Sequence, residues 1–302
     1  MSTHRRRPEL SLTTAIVAAI LAFGSSFPSV KVALRSFAPG PLALARFIAA
    51  SMALAVYFAL RRRPTGVLRE WRALVFLGVT NVAVYHILFN NGQKLVSPSA
   101  VSILVTTSPL WSSVIAVFVT GEHSRPRLWI GLGLAFIGAA AIAISERGAV
   151  ALSPGALLVL AAAFLQGVSF IVQRPTVARI GALTTTAVAI WIGTAILALV
   201  YGREFMTELS AASMESIIAS VYLGLVSSVV GLACWAYVLH RIPASEASPY
   251  LLVVPLVATA ISLVMIGDVP RVTTLLGGVV TIAGVLISTR RATPAVLAGG
   301  DG

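Results

Sequence analysis

A single cysteine, Cys234, stands in 302 residues, which excludes an intramolecular disulfide and a cysteine-rich metal site. Lysine is nearly missing as well: Lys31 and Lys94 stand against twenty arginines. Only four histidines are present, far apart, so no metal-ligand cluster is predicted. The chain has no HExxH pair, no phosphate-binding loop and no G-x-S-x-G elbow. An enzyme of those classes is therefore not expected, no cofactor is implied, and a nucleotide-driven pump would lack its phosphate loop. Charge is scarce too, at 11% of residues, where a soluble domain carries about 25%.

What replaces charge is apolar sequence. Hydrophobic residues make up 58% of the chain, and the mean hydropathy is +0.94. Only an integral membrane protein fits both deviations. Apolar runs fall at 11–33, 41–60, 72–92, 97–119, 127–145, 154–173, 182–201, 214–238, 245–266 and 272–289. Since a helix needs about 20 residues to cross the hydrocarbon, these predict an all-α bundle of ten transmembrane helices with short loops. Arg5, Arg6 and Arg7 precede the first run as in a signal peptide, but no cleavage site and soluble sequence follow, so the run reads as the first helix.

The net charge of +12 is spread in short arginine clusters between apolar runs, the pattern of topogenic signals rather than of a nucleic-acid surface. With an even number of spans both termini share one side. Fifteen of the 22 lysines and arginines fall there and six on the other, with Arg46 inside the second run. The positive-inside rule then puts both termini in the cytoplasm. Arginine in place of lysine, with abundant alanine, points to a GC-rich bacterial genome, so the membrane expected is a bacterial inner membrane.

An offset of 146 residues aligns 75–141 with 221–287 without a gap. Pro109-Leu110 meets Pro255-Leu256, Gly121-Glu122 meets Gly267-Asp268, and Gly131 and Gly138 meet Gly277 and Gly284. An offset of 143 pairs Gly24–Phe27 with Gly167–Phe170. Each copy holds five spans, an odd number, so the two copies are expected to have opposite topology. The halves are 1–150 and 151–302, and secondary transporters with a midplane site at the repeat interface are built this way.

GSSFPSVKVAL at 24–34, LARF at 44–47, Pro109, Gly121-Glu122 and the duplicated unit resemble the EamA-type branch of the drug/metabolite transporter superfamily. Within it the chain is most similar to bacterial exporters of amino acids, aromatic ones included. The resemblance implies a basket-shaped bundle, with the third, fourth, eighth and ninth spans around a central cavity and the first and sixth moving. Asp268 stands where the family's pattern has glutamate.

Polar groups inside the apolar runs are expensive and therefore mark candidate sites. In the third run Asn81, Tyr85 and Phe89 share a face, with His86 beside them. Ser108 and Trp111, Gln166 and Ser169, Trp191, and Trp235 and Tyr237 add to an aromatic and amide surface. Such a surface suits an apolar side chain with a zwitterionic head. Trp71 and Trp129, beside arginines, read as interfacial belt residues. For the other tryptophans and His86, packing and cavity roles stay open. Arg46 is close enough to its span end to snorkel. Asp268 and Glu122 read as ion-pair partners of Arg271 and Arg125. Gly24 reads as a close helix contact, and Pro28, Pro109 and Pro255 as sites of kinking.

A monomeric secondary exporter of amino acids in the lipid bilayer is the leading expectation. A proton-coupled multidrug exporter is the runner-up, although the only acid near the first span is Glu9, before it. A membrane enzyme or lipid flippase comes last.

Overall fold

A computed structural model describes residues 11–61, 64–120, 126–147, 153–241, 250–251 and 253–289. Among them no strand occurs. The helices are α1 (Leu12–Ala33, with a turn at Ser25), α2 (Pro39–Leu60), α3 (Trp71–Leu95), α4 (Pro98–Val105 and Ser108–Thr120) and α5 (Pro126–Arg147). The second half follows with α6 (Pro154–Ile180), α7 (Ala182–Ala211), α8 (Met214–Tyr222, Leu223–Gly231 and Leu232–Arg241), α9 (Val254–Ile266) and α10 (Val272–Thr289). Six of them, α1, α2, α3, α6, α7 and α8, are long and apolar enough to cross a bilayer, which makes this a multi-pass membrane protein.

Helix starts follow local chemistry. Proline, whose missing N–H costs nothing in a first turn, opens α2, α4, α5 and α6. Ser97 and Ser213 cap α4 and α8 by accepting the backbone N–H groups of Ala100 and Ser216. Gly267 closes α9 with a φ of 65°, a left-handed value that glycine adopts without strain.

Four boundaries differ from the apolar runs. The fourth run is broken at Thr106-Thr107, just before Pro109, which cannot bond back to the preceding turn. The sixth continues to Ile180 and the seventh to Ala211. Arg203, Glu204 and Glu208 therefore lie on a helix and not in a loop. At about 1.5 Å per residue, a 30-residue helix outreaches the hydrocarbon and carries its polar last turns into the interface. α9 starts at Val254, so Pro255 opens a helix instead of bending one. Glu122, Arg125 and Glu246 lie outside the described residues.

Glycines set the closest helix approaches. α5 packs antiparallel on α10, with Gly138 against Gly277 and Thr281, and Gly284 against Gly131 and Ala135. Gly24 of α1 packs on Val257 and Ala258 of α9, while Gly167 of α6 packs on Trp111 and Ser112 of α4. Gly78 of α3 meets Ala189 and Ile192 of α7, while Gly224 of α8 meets Arg46 and Ala49 of α2.

Candidate functional site

Two stretches depart from α-helical geometry in the same way. Gly78–Val84 in α3 and Leu223–Gly231 in α8 are π-helical, a conformation concentrated at functional sites. Each starts at a glycine or one residue before one, where a helix from the other half presses close.

Between these stretches lies Arg46, half-buried on α2. Its Nε donates to Ser228 Oγ at 2.9 Å and its Nη2 to Ser227 Oγ at 3.4 Å. Those are neutral partners, and no carboxylate among the described residues forms an ion pair with it. The guanidinium lies close enough to Tyr85 and His86 to interact with both electrostatically, and its carbon is 5.6 Å from the Phe47 ring centroid.

From Arg46 a polar path crosses into α6 and α4. The buried Tyr85 hydroxyl lies beside the Gln166 side chain. Gln166 Oε1 is 2.8 Å from Ser108 Oγ. Ser169 Oγ and Thr80 Oγ1 are 3.0 Å apart. His86 Nδ1 is 3.0 Å from the Val82 carbonyl. A carbonyl only accepts, so this bond places the proton on Nδ1 and leaves Nε2 as the acceptor.

Aromatic rings wall the path. His86 meets Phe47 edge-on at 4.5 Å, Tyr85 stacks on Phe89 at 5.6 Å, and Phe89 leans on Phe27 at 5.9 Å. Trp111 is held edge-on by Phe136 and Phe164, and its buried Nε1 has no hydrogen-bond partner among the described residues.

Tyr85, His86, Ser108, Gln166 and Ser169 thus come together, with Trp111 one helix turn from Ser108. Asn81 lies half-buried in the π-helical stretch of α3. Trp191 stands apart on the α2–α7 seam, where its Nε1 donates to the Ser51 carbonyl at 3.2 Å and its ring meets Phe58. Tyr237 lies beneath the Arg241 guanidinium at 4.8 Å, and Trp235 packs against the core nearby. Asp268 accepts from Ser99 Oγ at 3.2 Å.

Composition alone passed over Ser227 and Ser228, while Arg46 read as a residue able to snorkel. A usable signal was there: the two serines align with Asn81 and Val82 at the 146-residue offset. It also passed over Asn90 and Gln93, fully buried on α3, whose amides donate to the Pro39 and Phe27 carbonyls.

The model of the EamA-like transporter family matches residues 11–144 and again 153–290. The uncharacterized transporter YdfC of Bacillus subtilis is 35% identical over 263 residues, 87% of this chain and 86% of that protein. A Streptantibioticus cattleyicolor protein named "Probable terminal-alkyne amino-acid exporter" is 33% identical over 284 residues, 92% of this chain and 93% of its own. One solved crystal structure superposes with a TM-score of 0.64 at 18% identity, covering 93% of this chain and 96% of that one, which speaks for the fold alone.

Proposed function

Because the chain belongs to the EamA-like transporter family, we propose that it exports small metabolites, above all neutral or aromatic amino acids and their analogues. The observation that carries this is Arg46, an intramembrane cation whose hydrogen bonds among the described residues go to two serine hydroxyls and not to a carboxylate. A guanidinium presents five N–H donors in a fork matched to a carboxylate. In a low-dielectric site such a pairing is strong and specific. The neighbouring rings of Phe47, Tyr85 and Phe89 supply apolar area and a face for an ammonium. A lipophilic cation placed there would be repelled by Arg46, which weighs against the multidrug alternative. The amino-acid exporter among its relatives agrees with the choice of substrate class.

The same proposal takes the halves 1–150 and 151–302 as inverted five-helix repeats, ten spans in all, with both termini in the cytoplasm of a bacterial inner membrane. Support comes from contacts that exchange under the two offsets. Gly24 on Val257 and Ala258 becomes Gly167 on Trp111 and Ser112, and Gly78 on Ala189 and Ile192 becomes Gly224 on Arg46 and Ala49. Such an arrangement puts the site at the repeat interface, where rocking of the halves opens it to either face. Pro28 and Pro109 each follow a break in α1 and α4, and Pro255 starts α9. The breaks before Pro28 and Pro109 are the places where α1 and α4 can bend.

The test is efflux from proteoliposomes loaded in turn with labelled L-phenylalanine, L-leucine, a nucleoside and a lipophilic cation. Saturable efflux of the amino acids is expected. Efflux of the cation alone would overturn the proposal.

A further inference from the structure

At the end of the bundle where the α3–α4 turn and the end of α9 meet α1, a cavity of about 480 Å³ lies apart from the Arg46 site. Its lining is polarised. Lys31 and Arg35 stand on the α1 side, Asp268 on the α9 side, and Val96, Pro98 and Ile266 are among the apolar residues between them.

Lys31 and Asp268 are held in place. Lys31 Nζ donates to the last carbonyls of α3, Gln93 O at 3.1 Å and Lys94 O at 3.4 Å. The positive charge is thus fixed where the helix dipole welcomes a cation. Arg35 lies 3.6 Å from Glu215, with both side chains largely exposed, so water screens that pair. Asp268 is positioned by the buried Ser99, which donates to one carboxylate oxygen at 3.2 Å.

We infer that this cavity is a second, weaker binding site for a zwitterionic α-amino acid. The carboxylate lies towards Lys31 and Arg35, the ammonium towards Asp268, and the side chain on Val96 and Ile266. A simple anion would find Asp268 opposed to it, and a simple cation would find Lys31 and Arg35. Only a molecule carrying both charges satisfies both walls. The inference rests on the amino-acid reading of the substrate given above.

The experiment is equilibrium binding of labelled L-phenylalanine to the purified full chain in nanodiscs, for wild type, Arg46→Gln, Asp268→Asn and Arg35→Gln. Two sites per chain are expected in the wild type. Arg46→Gln removes the tighter one. Asp268→Asn weakens the other by roughly tenfold, as loss of one charge-assisted hydrogen bond does, and leaves the tighter site in place. Arg35→Gln, at an exposed position, weakens the same site and guards against a misfolded aspartate variant. A single site in the wild type, with Asp268→Asn and Arg35→Gln isotherms superimposed on it, overturns this inference and leaves the central site standing. Binding lost in Asp268→Asn but untouched by Arg46→Gln supports the second site and removes the first. No binding in the wild type overturns both.

Discussion

Ser51 and Thr194 are 143 residues apart and share a hydrogen bond of 2.9 Å across the seam of α2 and α7. On the repeat relation proposed above they are equivalent positions, and only residues on a two-fold axis meet their own equivalents. Thr194 also reaches the Phe47 carbonyl at 3.3 Å, and Trp191 the Ser51 carbonyl at 3.2 Å. This seam is therefore joined by side-chain hydrogen bonds, which suits a fixed axis rather than a substrate path.

Trp191→Ala is accordingly expected to act on stability. A large-to-small change in a packed interior costs about 3–5 kcal/mol, so the thermal midpoint in detergent should fall clearly. Trp111→Ala should lower amino-acid efflux with a smaller loss of stability. Normal efflux in Trp111→Ala would remove that ring from the site.

Arg46 gives the sharpest functional prediction. Charge-assisted hydrogen bonds contribute about 1.5–3 kcal/mol each, so Arg46→Gln should raise the half-saturating concentration of L-phenylalanine by roughly ten- to a hundredfold. Arg46→Lys should recover part of that loss, because charge is kept and the planar fork is not. An amine without a carboxylate should be indifferent to both changes. Equal efflux by wild type and Arg46→Gln would refute the role.

The α5–α10 contact predicts a symmetric response to bulk. A Cβ on Gly138 would fall 2.5 Å from the Gly277 carbonyl oxygen, and one on Gly284 2.5 Å from the Gly131 carbonyl oxygen. Gly138→Leu and Gly284→Leu should both abolish folded protein on size exclusion, whereas Gly133→Leu, with nothing within 4 Å, should be tolerated.

Orientation is tested by reporter fusions. Fusions after Arg63, Arg127 and Arg291 should report cytoplasm, and one at Glu208 the outside. Cytoplasmic signal at Glu208 would break the inverted arrangement.

His86 is the one histidine inside the six long apolar spans, the last of which ends at Trp235. Glu204 and Glu208 lie on the final turns of α7, and Glu208 accepts the Ala38 N–H at 2.9 Å. If protons drive transport, they are expected to pass through His86, the imidazole among these groups. Uphill, gradient-driven flux that survives His86→Gln would send the search to Glu246.

Class and periodicity were legible in the chain alone. Apolar runs, arginine clusters and the 146-residue offset follow from one-dimensional physics: the thickness of a bilayer, the cost of moving charge across it, and duplication. Tyr85, His86, Ser108 and Gln166 could be singled out because polarity in hydrocarbon is rare. Their partners could not. Which face of one helix meets which face of another is decided by close glycine approaches and by π-helical offsets, which rotate every residue beyond them. That rotation carries Ser227 and Ser228 to Arg46, so a residue that looked able to snorkel out becomes the centre of the site. It also leaves Trp191 on the seam. Sequence set the inventory of polar groups, and the relative rotation of the helices decided their pairing.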